Sequence, residues 1–253
     1  LFLNWLFNLF RNKAGEAENP LKSRQPNKII MKKVLLFIPA MLFAILFSAN
    51  AYSQSKCSIH AGAAFPMGEF GSDSQNDEYA GGAAVGFNVG GKYLSTLNQN
   101  GIGVFVGGDF NYNGLKSSVK DDMKKIFSPG VDLSFYKYIN IPITAGLNYT
   151  YKANSQVSLF GELGVGADFL KVTNMTAEAN GQKIEMVFDL STQFAYTLGG
   201  GLQFNDKYLL GLHYYGLGDH NVGGQMKYNG DSQDMDKNKL KVRMLNLTLG
   251  IKL

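Results

Sequence analysis

One cysteine stands in 253 residues. Cys57 alone can close no disulfide within the chain. Nor does it sit in a lipoprotein context, because Lys56 precedes it where a small-residue lipobox would be needed. It reads as an unmodified thiol at the start of a strand. Proline is scarce, at 6, and few prolines fall inside the periodic runs described below. Only 3 histidines are available to any catalytic or metal-binding arrangement. Charge of one sign is lacking too. Of the 24 basic residues, seven lie in residues 1–51 with two of the 20 acids, which leaves 17 basic against 18 acidic in the remainder. A net charge of −1 after residue 51 offers no electrostatic case for nucleic-acid binding. What is abundant is 30 Gly, 13 Tyr and 18 Phe, a bias toward strands with close backbone approach.

The first fifty residues read as an address. Met31-Lys32-Lys33 is a short basic start, and Val34 to Phe47 is apolar apart from Pro39. Ser48-Ala49-Asn50-Ala51 then supplies an A-x-A cleavage pattern. Basic, apolar and small residues in that order are the signature of a secretory signal peptide. The 14-residue apolar core falls short of the roughly 20 needed for a membrane-spanning helix. The expected organisation is a signal peptide over 31–51 and one barrel domain over 52–253. Residues 1–30 read as upstream sequence included by a wrong start, or else as an amphipathic pre-segment.

After Tyr52, period-two alternation dominates, and it marks strands whose two faces differ chemically. Strands are expected near 57–65, 80–94, 102–113, 138–151, 157–170, 190–204, 208–220 and 240–253. Ile102, Val104, Val106, Phe110 and Tyr112 oppose Gly103, Gly107, Asp109 and Asn111, with Phe105 an apolar exception on the polar side. Leu245, Leu247, Leu249, Ile251 and Leu253 oppose Asn246, Thr248, Gly250 and Lys252.

A soluble sandwich would alternate as well, but three further features point to lipid. The central stretches of the apolar faces carry no Asp, Glu, Lys or Arg, as a bilayer demands when a midplane Lys or Arg costs about 2–4 kcal/mol. Aromatics gather at the strand ends on that same face, with Tyr93, Tyr149, Tyr151, Phe204 and Tyr208 at one end. Phe65, Phe110, Tyr112, Phe169 and Tyr214 gather at the other, giving two interfacial girdles. Short connections (95–101, 152–155, 205–207) alternate with long polar ones (66–79, 114–130, 171–189, 221–239), as tight periplasmic turns and long outer loops do. In hydrocarbon only a closed sheet satisfies every backbone group. The expected fold is therefore an all-β, eight-stranded antiparallel up-and-down transmembrane barrel. Its place is the bacterial outer membrane, with both termini periplasmic and the long loops extracellular.

Gly62-Ala-Ala-Phe-Pro-Met-Gly-Glu-Phe70, Tyr138-Ile-Asn-Ile-Pro-Ile143 and the final Leu247-Thr-Leu-Gly-Ile-Lys-Leu253 resemble the small outer-membrane barrel family with PorT-like members. In plan the chain is also similar to the eight-stranded barrels of outer-membrane proteins A and X. The resemblance covers 57–253 and implies outer-membrane lipid, lipopolysaccharide and the barrel-assembly machinery as partners. Leu253 departs from the C-terminal aromatic that such machinery reads.

Candidate chemistry is sparse. Lys92, Asp109, Glu162, Asp168 and Lys252, with His60 and His213, are expected to face the barrel interior. A narrow eight-stranded barrel is filled by its side chains, and buried charges there must pair. A structural salt-bridge and hydrogen-bond network is favoured over an ion or proton pathway, with inward glycines leaving room for it. Asp219-His220 is the one pair weighed as an active site, against a solvated loop edge. Asp231, Asp234 and Asp236 miss the calcium-loop pattern and read as a flexible acidic loop. Lys116, Lys120, Lys124 and Lys125 could touch lipopolysaccharide phosphates, as could Lys241 and Arg243. No catalytic, cofactor or metal residues are expected. The chain reads as a non-enzymatic surface barrel, with a narrow channel or transport accessory as the alternative and a lipid A-modifying enzyme further behind. A soluble lipocalin-like binder would share the topology but would need a second apolar set inside.

Overall fold

Where one position faces hydrocarbon-like surroundings and the next faces a filled interior, the backbone has one suitable form, the pleated strand. The computed structural model describes residues 55–74, 79–127, 130–179, 181–228 and 231–253. The expected signal peptide and the segment before it lie outside the described residues. The strands are β1 (Ser55–Pro66), β2 (Gly86–Thr96), β3 (Ile102–Asn113), β4 (Asp132–Ser134), β5 (Tyr138–Lys152), β6 (Val157–Val172), β7 (Met175–Ala179), β8 (Gln182–Phe188), β9 (Leu190–Phe204), β10 (Tyr208–Tyr228) and β11 (Asp231–Lys252). A 3₁₀ turn at Gly68–Phe70 and the helix α1 (Ser117–Ile126) lie between them.

Eight strands close into a ring in the order β11-β1-β2-β3-β5-β6-β9-β10, and β10 returns to β11. All these pairings are antiparallel. The expected eight-stranded up-and-down barrel is thus the observed fold. Closure leaves no edge within the ring. Pro142 sits inside it nonetheless, and the β3–β5 register skips from Gly108↔Ile143 to Asn111↔Asn140 around it. A residue with no N–H cannot complete the ladder there.

The outward face is greasy all round. Ile59, Val89, Leu147, Leu163, Val165, Leu198, Leu212 and Leu249 are exposed large hydrophobics drawn from seven ring strands. The first girdle is as expected, with Tyr149, Tyr151, Phe204 and Tyr208 exposed at the short-turn end. At the other end Phe87 joins Phe110 and Tyr112, with ring centroids 6.1 and 5.3 Å away. Tyr196 likewise lies 6.2 Å from Tyr214.

The long connections differ from expectation. Segments 171–189 and 221–239, expected as polar loops, are largely strand. β7 and β8 form a hairpin, and β8 pairs with the upper part of β10 from Gly224 to Tyr228. β4 adds to the far side of β7. β10 and β11 run on together to Tyr228↔Asp231. A twisted sheet therefore stands beyond the barrel's rim. The second strand starts at Gly86 rather than 80, because Ala80 and Ala83 pack into the cap instead. Segment 114–130 holds α1, whose Val119 and Met123, four residues apart, are buried on one face. Its other face carries the ion pairs Lys124–Asp121 at 3.8 Å and Lys125–Asp122 at 2.7 Å.

These pieces share a hydrophobic core. Phe70, Leu115, Tyr136, Tyr138, Leu170, Met175, Met186, Phe188, Leu217, Leu240, Val242 and Met244 belong to it. The core fills the long-connection end of the barrel and continues under the raised sheet. The expectation of a polar interior holds through the short-turn half; in the upper half polar groups such as Asp168 and His220 are set among an apolar core. In the upper half Leu240, Val242 and Met244 occupy the inward positions of β11, because an apolar cap there has three β-strands, α1 and the 3₁₀ turn to pack against.

Candidate functional site

The polar interior is assembled one layer at a time, starting from the short-turn mouth. Lys252 on β11 reaches across to Gln203 Oε1 on β9, and Gln203 Nε2 donates to Asp206 Oδ1 at 2.6 Å. One layer in, Glu162 on β6 gathers three donors. The Lys92 ammonium contacts its Oε2, His213 Nε2 lies 3.0 Å from the same oxygen, and Asn148 Nδ2 donates to Oε1 at 3.1 Å. Phe105, the apolar exception on its strand, lies beneath this cluster with its ring centroid 5.0 Å from Lys92 Nζ.

Next, Asp109 on β3 is held by His60 Nε2 at 2.6 Å, Asn88 Nδ2 at 2.9 Å and the Tyr215 hydroxyl at 2.8 Å. Above it Asn111 Oδ1 accepts from Asn88 at 3.0 Å and Asn246 at 2.8 Å. These carboxylates lie in a low-dielectric interior, where a lone charge costs several kcal/mol, on the order of the Born penalty after relaxation. Each is ringed by hydrogen-bond partners instead, and Glu162 also meets the Lys92 ammonium.

Glycine makes both histidine–carboxylate pairs possible. His60 and Asp109 sit on β1 and β3, and the residue between them on β2 is Gly90. Glu162 and His213 sit on β6 and β10, and the residue between them on β9 is Gly199. A Cβ at Gly90 would collide with both His60 and Asp109, and one at Gly199 with the His213 imidazole. In each case the middle strand gives up its side chain so that its two neighbours can meet.

A third pair lies higher, against the cap. His220 Nε2 is 3.1 Å from Asp168 Oδ2, and its Nδ1 is 3.2 Å from Ser191 Oγ. The Asp168 contact is close but lacks hydrogen-bond alignment. His220 is therefore neither the partner of Asp219 in a site, the pairing weighed from the sequence, nor part of a solvated loop edge; Asp219 is exposed on the opposite face of β10. The bulge between Gly216 and Gly218 decides that His220, and not Asp219, is the one turned inward. Gly218 has a φ of +87°, which a side chain would resist. No spacing rule marks such a bulge, so sequence reasoning missed the Asp168–His220 pairing.

Serine, histidine and aspartate in a chain resemble a hydrolytic triad only in composition. The side chains of His220 and Asp168 are both 0% exposed, and serine and aspartate contact the two ring nitrogens the opposite way round from a hydrolytic triad. Asp231, Asp234 and Asp236, expected on a flexible loop, lie on β11 instead, where Met235 between them is buried.

No family model matches this chain. No curated protein matches it either. Solved structures similar to it are bacterial surface and outer-membrane proteins. Neisserial surface protein A is 16% identical over 80% of this chain and 99% of that one, with a TM-score of 0.43. Ail, the attachment invasion locus protein of Yersinia pestis, is 21% identical over 80% of this chain and 100% of its own, with a TM-score of 0.38. A major outer membrane protein from Thermus thermophilus is 12% identical over 79% of this chain and 99% of its own, with a TM-score of 0.46.

The outer border of the apolar band carries a second polar arrangement. Lys241 and Arg243 point outward from β11, and Glu69 of the 3₁₀ turn faces both, at 3.3 and 3.5 Å. Lys241 also lies over the Tyr79 ring at 4.2 Å. A hydrogen bond from its own backbone N–H holds the Glu69 carboxyl below its ordinary value; burial opposes this, and Lys241 and Arg243 add to it. Lys137 sits at the same level, 5.5 Å from the Tyr112 centroid. Lys116, one of the lysines weighed for lipopolysaccharide contact, holds Asp73 at 3.2 Å, where Ser118 also donates. These two donors lower the Asp73 carboxyl, Ser118 first.

Proposed function

We propose that this chain is an integral protein of the bacterial outer membrane, non-enzymatic, which presents a rigid β-sheet platform on the cell surface. The observation that carries this reading is the closed ring with its unbroken outward band of large apolar side chains. Leu198 at 59% exposed, Leu163 at 56% and Leu249 at 69% would face water in a soluble protein. A continuous patch encircling a barrel is far beyond what water-soluble monomers tolerate. A soluble lipocalin-like binder fails on its outside rather than its inside, since such a barrel needs a polar exterior.

The surface role rests on the cap. The raised part of β10 and β11, with β8, β7 and β4, is packed on a core and therefore rigid, unlike a set of mobile loops. Its short edge strand β4 and its charged outer faces are the usual guards against uncontrolled pairing. Lys137, Lys241 and Arg243 just above the upper girdle fit contact with the phosphates of lipopolysaccharide. The apolar cap weighs against conduction, since buried side chains such as Tyr136, Leu217 and Met244 pack at the long-connection end of the interior.

Fractionation with heat-dependent gel mobility tests the location; recovery in the soluble fraction without detergent would sink it. A single cysteine placed at Asp234 in a Cys57→Ser background tests the orientation. An impermeant maleimide should label it on intact cells, and labelling confined to lysed cells would reverse the assignment. Planar-bilayer recordings should give no reproducible ion steps.

A further inference from the structure

The short-turn half of the interior has more cations than it can use. Lys92, Ser58 and Lys252 are direct neighbours across β2, β1 and β11. Lys56 lies one inward position closer to the mouth on β1, and all three lysines line the same recess. Glu162 is the sole carboxylate in its lining, and it already serves Lys92 and His213. The other two interior carboxylates are committed elsewhere, Asp109 to His60 and Asp168 to His220. Lys252 is met by a neutral amide oxygen, Gln203 Oε1, and the nearest acid, Asp206, sits on the turn outside the lining and accepts from Gln203.

Two ammonium groups thus face a partly enclosed space with no carboxylate of their own. The recess has a volume of about 40 Å³ and, besides the lysines, polar and apolar residues line it, among them Thr150, Thr248, Leu94 and Leu209. It is several times the roughly 10–15 Å³ that one water requires, which suits a small inorganic or carboxylate anion and excludes anything much bigger. Charge left uncompensated in such surroundings favours a counter-ion strongly.

We propose that this recess, at the short-turn mouth of the barrel, is a binding site for a small soluble oxyanion, held by the ammonium groups of Lys56 and Lys252. The site is entered from the side opposite the raised sheet. It gives the barrel a ligand on the periplasmic side that is independent of any partner on the cell surface.

The test uses the full chain in lipid nanodiscs and inorganic phosphate as the probe. Calorimetric titration should show saturable one-site binding. The K56Q/K252Q double variant should bind at least about tenfold more weakly, as loss of two charge-assisted contacts implies. K120Q, on α1 at the other end of the barrel, should bind as the wild type does. Unchanged heat-dependent mobility shows that each variant is folded. If the double variant does not fold, the wild type still decides. With lysine side-chain amines isotopically labelled, phosphate should shift the Lys56 and Lys252 signals and leave Lys120 and Lys124 in place. No saturable binding, equal affinity in the double variant, or shifts confined to surface lysines would each overturn the proposal.

Discussion

β11 passes through two environments without changing its phase. From Leu253 back to Leu245 its odd positions are apolar and outward, while Asn246, Thr248 and Lys252 point in. From Met244 to Leu240 the even positions still point in, but they are now apolar, and Lys239, Lys241 and Arg243 point out. The strand's pleat is continuous and its chemistry is inverted. The inversion falls beside Tyr214, the register partner of Leu245, on the level of the upper aromatic girdle. Below that level the outside demands hydrocarbon-compatible side chains, and the inside is then free to hold a polar network. Above it the outside is water, and the stabilising apolar burial has to move inside. The same backbone geometry thus serves a membrane wall and a soluble cap, and the boundary is written in which face is greasy.

The largest expected effect falls in the lower half. Glu162→Ala removes the one acid that faces both Lys92 and His213 and leaves the Lys92 ammonium without its partner in a narrow interior. It should cost about 3–5 kcal/mol, as breaking a buried pair from one side does. Urea unfolding in vesicles measures it. In the raised sheet Asp234→Ala, exposed on β11, should change stability by less than about 0.5 kcal/mol. Similar losses at both sites would erase the distinction between the halves.

A smaller loss tests the outside. Leu198→Lys puts an ammonium on the apolar band and should cost about 2–4 kcal/mol near its middle, less toward either girdle. If it costs nothing in a bilayer, the band does not face lipid. Gly199→Ala tests the packing logic inside that wall. Its new Cβ must displace the His213 ring, so a penalty of about 1–3 kcal/mol is expected. The His213 imidazole signal should lose its coupling to Glu162 as well. Gly161→Ala on the neighbouring strand, where an added Cβ meets nothing within 4 Å, is the matched control.

The barrel was legible because each ring strand alternates over eight or more residues, and the aromatic girdles and the alternating lengths of connections reinforce that signal. The cap was not. Its strands are five to seven residues long in β7 and β8, and its alternation uses Met175, Ala177, Met186 and Phe188 among charged neighbours. Read alone, Met-Thr-Ala-Glu-Ala looks as polar as a loop. Only the core beneath makes its alternate residues a buried set. The interior charges were legible as inward residues, since parity places Lys92, Asp109, Glu162 and Lys252 without further information. Their partners were not, because a pair such as Glu162 with His213 depends on which strands neighbour one another in the closed ring and on a glycine between them. Asp168 with His220 depends in addition on a bulge, because one extra residue in β10 turns His220, rather than Asp219, into the interior.

The weakest effect sits on the boundary itself. Glu69 faces Lys241 and Arg243 at the level where β11 changes its chemistry, and its side chain is 25% exposed. An ion pair so open to solvent contributes little, about 0.5–1 kcal/mol, and less at high salt. Its carboxyl is held below the ordinary value of 4.5 when folded. The unfolded chain therefore takes up the proton first as pH falls, so this stabilisation is complete above about 4.5 and is lost as pH drops through the lowered folded value. Glu69→Gln should remove that acid-side loss and should lower stability slightly at neutral pH. Because Met67 N–H also donates to the Arg243 carbonyl at 2.9 Å, the turn stays docked on β11 in the variant. A stability difference between wild type and Glu69→Gln that is constant from pH 3 to pH 7 would show that the pair does not act as a charge pair. A difference confined to the neutral side, and weakened by salt, would place this link in water just outside the bilayer, where the inverted chemistry of β11 already puts it.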